Sequence, residues 1–337
     1  MLYKFLRPLF FALDPEMAHQ LGLEGLKFAD KLGLLRHYSS DIPSRAVEVM
    51  GLKFPSHVGL AAGLDKNGDY IHALGSLGFG FVEIGTVTPR PQAGNSKPRL
   101  FRIPEKFVII NRMGFNNKGV DHLVDQVKRS QFNGILGINI GKNFDTPNDR
   151  AVDDYLHCLN RVYPYADYIT VNISSPNTKG LRELQQQDAI RDLMQTLKNR
   201  QAQLHQELGK YTPLVVKIAP DLNDEEIAGI AQQILAVNMD GVIATNTTLA
   251  RDAVQGFKHA DEQGGLSGAP LLKQSTHVVA ELHKHLNNKV PIIAAGGIMC
   301  GEDAQEKLNA GASLVQIYTG FVYQGPELIK LIKQTLA

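Results

Sequence analysis

Eight apolar runs of four to six residues, each followed by a stretch with helical spacing, dominate the sequence from residue 58 onward. The runs fall at 58–62, 81–86, 135–140, 168–173, 214–218, 241–245, 292–295 and 314–318. Most are continuously apolar rather than alternating, as parallel strands covered on both faces are. The helical stretches are 70–77, 119–129, 153–163, 183–208, 224–236, 271–286, 304–309 and 326–335. Eight strand–helix units predict an α/β fold, a (β/α)8 TIM barrel. The alternative, a doubly wound sheet, usually has fewer repeats and a GxGxxG after its first strand, and that fingerprint is missing. A length of 337 residues suits one such barrel with a small extension.

The extension lies at the N-terminus. Leu2, Phe5, Leu6, Leu9, Phe10 and Leu13 recur at helical spacing, with Lys4 and Arg7 between them. Asp14-Pro15-Glu16 then reads as N-cap, first helical position and first-turn acid of a second helix, which carries Met17, Leu21 and Leu26. Gly33 and the segment 37–43 end it. Two amphipathic helices at a terminus either seal the domain with their apolar face or lie on a membrane surface. Residues 47–54 read as a short hairpin turning near Gly51. The chain therefore divides into an N-terminal amphipathic helical extension, residues 1–40, and a barrel domain, residues 41–337. The longest interruption, 88–117, reads as a loop insertion on the side where barrel enzymes place their chemistry.

Several function classes are disfavoured by what is missing. Thirty-five basic residues face 34 acidic ones, so no net field would gather nucleic acid. The two cysteines, Cys158 and Cys300, form no CxxC, and no histidine pair has metal-ligand spacing. No metal site and no disulfide framework are expected. No apolar run approaches the roughly 20 residues that span a bilayer, and the N-terminus lacks the features of a secretory signal.

Polar residues gather at the C-terminal ends of the predicted strands. They are Ala61-Ala62-Gly63-Leu64-Asp65-Lys66, Gly85-Thr86, Asn139-Ile140-Gly141-Lys142, Asn172 through Asn177, Lys217, Thr245-Asn246-Thr247-Thr248, Gly296-Gly297 and Tyr318-Thr319-Gly320. Any one of them could be a cap or a turn, but barrel active sites are assembled at this end. Gly296-Gly297 and Gly320 let backbone N–H groups approach a phosphate. Lys217 would stabilise negative charge on the pyrimidine edge of a reduced flavin, or form a Schiff base in an aldolase. Asn111, Asn172, Asn177 and Asn246 offer uncharged donors and acceptors to a polar ring, although each could instead cap or turn the chain. Ser175 lies outside any GxSxG elbow, and as a base it would need a proton relay or a closed pocket.

These segments together resemble the class 2, quinone-dependent dihydroorotate dehydrogenases, in their bacterial form. The resemblance covers nearly the whole chain. It rests on Asp14-Pro-Glu-Met-Ala-His19, Gly59-Leu-Ala-Ala-Gly-Leu-Asp-Lys66, Glu83-Ile-Gly-Thr-Val-Thr-Pro-Arg-Pro91, Pro98-Arg-Leu-Phe-Arg102 and Ile110-Asn-Arg-Met-Gly-Phe-Asn-Asn117. It continues in Gly137-Ile-Asn-Ile-Gly-Lys142, Val171-Asn-Ile-Ser-Ser-Pro-Asn-Thr178, Ala244-Thr-Asn-Thr-Thr248 and Gly264-Gly-Leu-Ser-Gly268. It implies oxidation of dihydroorotate to orotate in pyrimidine biosynthesis, with one non-covalent FMN and a quinone as final acceptor, ubiquinone or menaquinone. The implied base is Ser175, where class 1 relatives carry cysteine. Implied substrate contacts are Lys66, Asn111, Arg112, Met113, Gly114, Phe115, Asn172, Asn177, Asn246 and Thr247. Implied FMN contacts are Ala61, Ala62, Gly63, Lys66, Thr86, Asn139, Asn172, Lys217, Thr245, Gly268, Gly297, Tyr318 and Thr319, the last a serine in some relatives. The resemblance also implies a lid beyond Asn177 that includes 179–182, and a quinone path past His19, Arg102 and Tyr318. The implied location is peripheral, on the cytoplasmic face of the inner membrane, with no nucleic-acid partner. The rivals are an FMN enzyme of another pyrimidine, such as a dihydrouridine synthase, a Schiff-base aldolase on Lys217 or Lys66, and a catalytically dead binding protein.

Overall fold

The computed structural model describes residues 2–35, 44–130, 132–178, 180–185 and 187–337. The segment 37–43, expected to end the helical extension, lies outside them, as does Lys179 of the expected lid.

The strands are β1 (Val47–Val49), β2 (Leu52–Phe54), β3 (Val58–Leu60), β4 (Phe81–Val87), β5 (Leu100–Ile103), β6 (Val108–Asn111), β7 (Ile135–Ile140), β8 (Tyr168–Asn172), β9 (Leu214–Ile218), β10 (Gly241–Ala244), β11 (Gly265–Gly268), β12 (Ile292–Ala295) and β13 (Leu314–Ile317). The helices are α1 (Leu2–Ala12), α2 (Pro15–Lys31), α3 (Ile71–Gly75), α4 (Val120–Arg129), α5 (Ala151–Val162), α6 (Gln187–Leu208), α7 (Asp224–Ala236), α8 (Leu272–Leu286), α9 (Gly301–Asn309), α10 (Thr319–Gln324) and α11 (Glu327–Thr335). Strands β3, β4, β7, β8, β9, β10, β12 and β13 close in that order into a barrel, and every pairing is parallel. This is the TIM barrel that the eight repeats predict.

Alternation along the strands sorts the barrel into two cores. Val82, Ile84, Ile138, Val171, Val216 and Val242 belong to the large cluster shared with the surrounding helices. Phe81, Tyr168, Val215, Ile243, Ile293 and Leu314 form a second cluster with Val49 and Phe54 of the β1–β2 hairpin. The hairpin turns through Met50 and Gly51, at φ 56° and 73°, the positive pair that a two-residue turn needs. It plugs the barrel at the strands' N-terminal ends, leaving the opposite ends for chemistry. Gly59 and Gly137 make room inside for large rings. A Cβ at either would collide with Phe81 or with Tyr168, respectively.

Above this apolar layer the inward positions turn polar: Glu83, Asn139, Thr170, Lys217 and Gln316 are all buried. Three short strands stand apart from the barrel, as an antiparallel sheet in the order β11–β6–β5. The 88–117 insertion is therefore not only loop. Its strands are four residues long, and the glycine-flanked β11 reads locally as a turn, so neither carries a strong periodic signal.

The N-terminal helices dock through a few apolar residues, Phe11 on the Tyr323 ring and Ala18, Leu23 and Leu26 of α2, and through polar contacts. Asp14 caps α2, its Oδ1 accepting from the backbone N–H of Glu16 and of Met17, each at 3.0 Å. Glu16 pairs with Arg99 at 2.7 Å, Glu24 accepts from the Tyr70 hydroxyl at 2.6 Å, and Asp30 binds His72 at 2.6 Å. Phe5, Leu9, Met17, Leu21 and Phe28 are exposed. The sealing role that the sequence left open for this apolar face is not what these side chains do. Arg102 holds the end of α1, donating to the carbonyls of Phe10 at 3.1 Å and Leu13 at 2.5 Å while its guanidinium lies over the Phe11 ring.

Candidate active site

A cleft opens at the C-terminal ends of the barrel strands. About 1040 Å³ of space lies between its walls, part of it open to solvent. The first βα loop is built around Asp65, which is buried and accepts from the backbone N–H of Asn67, Asp69 and Tyr70 at 3.2, 3.1 and 2.8 Å. That carboxylate fixes the turn and presents Ala61, Ala62, Gly63 and Lys66 to the cleft. Lys66 donates to the Gly63 carbonyl at 2.9 Å. Burial and the neighbouring Arg99 charge hold its ammonium down at about 8.

The loop after β8 carries Ser175, which is buried yet lines the cleft. Its Oγ accepts the backbone N–H of Asn177 at 3.2 Å. Among the described residues no histidine or carboxylate touches that hydroxyl, so this is not a hydrolase triad. Four amides meet here, two from the end of β8 and its loop and one each from the ends of β6 and β10. The Asn177 Nδ2 donates to Asn111 Oδ1 at 3.3 Å, and the Asn246 Nδ2 donates to Ser174 Oγ at 3.0 Å and to Asn172 Oδ1 at 3.4 Å. Asn111 arrives at the end of β6 and Gly268 at the end of β11, so the small sheet delivers a wall of the cleft.

Lys217 points inward from β9 and also lines the cleft. It is buried and makes no hydrogen bond among the described residues. Burial pushes its pKa down, while the nearby Glu83 charge opposes that shift. A buried ammonium facing a cleft without a partner is costly unless a ligand supplies an acceptor. At the far end, Gly296, Gly297, Gly268, Thr319 and Gly320 form a small-residue wall. The Gly297 backbone, at φ 81°, packs so closely on the first residue of α8 that a Cβ would strike Leu272. Thr319 donates to Ser267 Oγ at 2.8 Å across this wall.

Most of the residues singled out in the sequence meet in this cleft: Ser175, Lys66, Asn111, Met113, Gly114, Phe115, Asn172, Asn177, Asn246 and Thr247 on one side, and Ala61, Ala62, Gly63, Thr86, Lys217, Thr245, Gly268, Gly297, Tyr318 and Thr319 on the other. Four stand elsewhere. The side chain of Arg112 turns away to pair with Glu262 at 2.7 Å over the Phe101 ring. Asn139 lies behind Thr86, fully buried. His19 and Arg102 belong to the contact between the N-terminal helices and the barrel. Burial, with the Lys66 charge nearby, lowers His19 to about 4. The cleft also includes Ser267, Leu271, Met299 and Gln316, which the sequence reading did not name as site residues. Gln316 had a visible signal, a polar residue inside the apolar run Leu314-Val-Gln-Ile317.

The dihydroorotate dehydrogenase family model matches residues 44–337. The dihydroorotate dehydrogenase (quinone) of Nitrosospira multiformis is 60% identical over 336 residues, spanning 100% of this chain and 96% of its own. That of Cellvibrio japonicus is 59% identical over 328 residues, 97% of this chain and 96% of its own. A crystal structure of the Eimeria tenella enzyme in complex with ferulenol superposes with a TM-score of 0.87 at 40% identity, covering 96% of this chain and 90% of that one. This chain belongs to the dihydroorotate dehydrogenase family.

Proposed function

We propose that this member of the dihydroorotate dehydrogenase family oxidises (S)-dihydroorotate to orotate for pyrimidine biosynthesis, with FMN bound in the cleft and a membrane quinone as final acceptor. The observation that carries the reading is the convergence of Ser175, Lys66 and the asparagine amides in one cleft with a buried Lys217 that has no hydrogen-bond partner among the described residues. The residues fit a flavin mononucleotide. Lys217 Nζ needs an acceptor, such as the pyrimidine edge of the ring provides, and the glycine wall at Gly268, Gly297 and Gly320 leaves backbone free to meet a phosphate. Ala61, Ala62, Gly63, Thr86, Thr245, Tyr318 and Thr319 would complete the FMN site. Asn139 would act on it from behind Thr86.

Bound FMN supplies the acceptor for the hydride that leaves C6 of dihydroorotate. Ser175 takes the proton from C5. A neutral hydroxyl is a weak base, so its own proton must move on as the transfer occurs. Phe115 and Thr178, both buried, would shape that path and keep bulk water out. Lys66 pairs with the substrate carboxylate, and Asn111, Asn177 and Asn246 hold the ring. The same reading makes residues 1–40 a membrane and quinone-access part and residues 41–337 the catalytic part. His19 and Arg102, at the junction, would border the quinone path. The exposed apolar residues of α1 and α2, on the side away from the contacts with the barrel, suit peripheral binding at the cytoplasmic face of the inner membrane.

The test is direct. Acid precipitation of the purified protein should release FMN, near one per chain, and anaerobic dihydroorotate should bleach the bound flavin. Released FAD, or a flavin that dihydroorotate leaves oxidised, would contradict the proposal.

A further inference from the structure

Lys307 on α9 is fully buried and lies outside the cleft lining. Its Nζ donates to Leu272 O at 3.1 Å and to Ser275 Oγ, both in the first turn of α8 and both uncharged. Glu306 and Asp303, on its own helix, act on it without forming an ion pair. The first turn of a helix carries positive partial charge, so it disfavours a cation. Burial adds to that cost and pushes Lys307 down to about 7. A buried ammonium at the positive end of a helix calls for an anion nearby.

The glycine wall of the cleft lies on the other side of Ser275. Ser275 Oγ is 3.0 Å from Gly296 O, and also within reach of Leu271 O at 2.8 Å and Leu272 O at 3.1 Å. The latter two have other donors. Leu271, as the N-cap, accepts the first helical N–H, and Leu272 O accepts from Thr276 Oγ1 at 2.8 Å as well as from Lys307. Gly296 O has no other donor among the described residues, so the single serine proton is best placed there. The Gly296–Gly297 peptide is trans, and a trans peptide points its N–H away from its C=O. The Gly297 N–H thus faces away from Ser275. It has no acceptor among the described residues, and Gly297 lines the cleft. Glycine at both positions lets this peptide sit directly on α8. A Cβ at 296 would meet Ser275 Oγ at 2.9 Å, and one at 297 would meet Leu272 Cα at 2.3 Å.

Among the described residues the cations that line the cleft are Lys66 and Lys217, which the proposed function places at the substrate carboxylate and the flavin ring. The glycine wall has none. We propose that Lys307 supplies the missing positive charge from behind the wall, polarising the Gly296–Gly297 peptide through Ser275 toward an anion on the Gly297 N–H, and so makes the site selective for the phosphate of FMN. This rests on the proposed function, which puts the phosphate at this wall. In a dry interior a unit charge acts over several ångströms, so the ammonium needs no direct contact with the phosphate.

The test is flavin exchange on the full-length holoenzyme at pH 6, where the Lys307 ammonium is the main form. Dissociation constants for FMN and for riboflavin are read from the fluorescence of free flavin. Riboflavin has the same ring and ribityl chain without the phosphate. Lys307→Met and Lys307→Gln should each weaken FMN on the order of 10-fold and leave riboflavin within about 3-fold of the parent. Lys307→Gln keeps a donor for Ser275, so it separates charge from hydrogen bonding and packing. If Lys307→Met yields no folded protein, Lys307→Gln alone decides. Equal weakening of both flavins, or FMN affinity in Lys307→Gln equal to the parent's, would overturn the inference. A purified parent that binds neither flavin would instead overturn the functional reading.

Discussion

Among the described residues Ser175 Oγ has one hydrogen-bond partner, the Asn177 N–H, and that partner is a donor. The hydroxyl lone pairs are thus aimed by the backbone, while no described carboxylate or imidazole stands ready to receive the proton. Ser175→Ala should keep its flavin but slow reduction by dihydroorotate about 10²–10⁴-fold, the range for loss of a general base. Ser175→Cys should recover part of the rate, since a thiol can take the same proton. Stopped-flow bleaching of the flavin checks both, and an alanine variant reduced at the parent rate would remove Ser175 from the mechanism. Lys66 makes a pH prediction. Held at about 8 by burial, its ammonium is charged below that pH and neutral above it. Orotate binding should be flat at lower pH and weaken by up to about tenfold per unit as pH rises through about 8. Titrations across pH 6–10 check this, and Lys66→Met should bind weakly at every pH without the slope. These residues were legible because they follow apolar strands, where a barrel puts its chemistry. Glu83 was quoted only within a motif. Its three hydrogen-bond donors, Tyr168, Asn139 and Gln316, meet it inside the barrel, and no local pattern brings three distant strands together.

The eight strand–helix units are visible in sequence because each strand is buried on both faces and each helix carries a full apolar stripe. Boundaries moved where capping, not hydrophobicity, decides. Helix α9 starts at Gly301 rather than 304, because the Asp303 carboxylate accepts from the backbone N–H of Met299 and Cys300 at 2.7 and 3.1 Å. The predicted 183–208 helix divides into a 3-10 turn, Leu181–Gln185, and α6. Arg182 in that turn donates to Ser174 O at 3.1 Å and Thr247 O at 2.8 Å and pairs with Asp221 at 2.8 Å, tying three active-site loops together. The N-terminal helices were legible as amphipathic, but not which side faces the barrel. That depends on Arg99, Tyr70 and His72, which receive the acidic side of α2. Deleting residues 2–36 should spare reduction of the flavin by dihydroorotate and turnover with a soluble dye. It should cripple turnover with a long-tailed quinone and reduce sedimentation with liposomes. A folded truncation that turns over long-tailed quinone like the full chain would leave the helices a structural role only.

At the scale of the whole molecule the barrel has two unlike ends. The β1–β2 hairpin seals one with Phe54 and Val49 against Phe81 and Tyr168. The other gathers the cleft, with a buried polar layer beneath it. The helical extension stands beside the barrel with apolar residues turned outward, and no described helix is long and apolar enough to cross a membrane. The central claim is that one cleft oxidises dihydroorotate and passes the electrons to a quinone. The most direct measurement follows orotate formation by the purified holoenzyme with a short-chain ubiquinone, fumarate or NAD⁺ as sole acceptor. Orotate should form in equal amount to the quinone reduced, with little turnover on fumarate or NAD⁺. Orotate formation sustained by fumarate or NAD⁺ but not by quinone, or none with any acceptor, would contradict the claim.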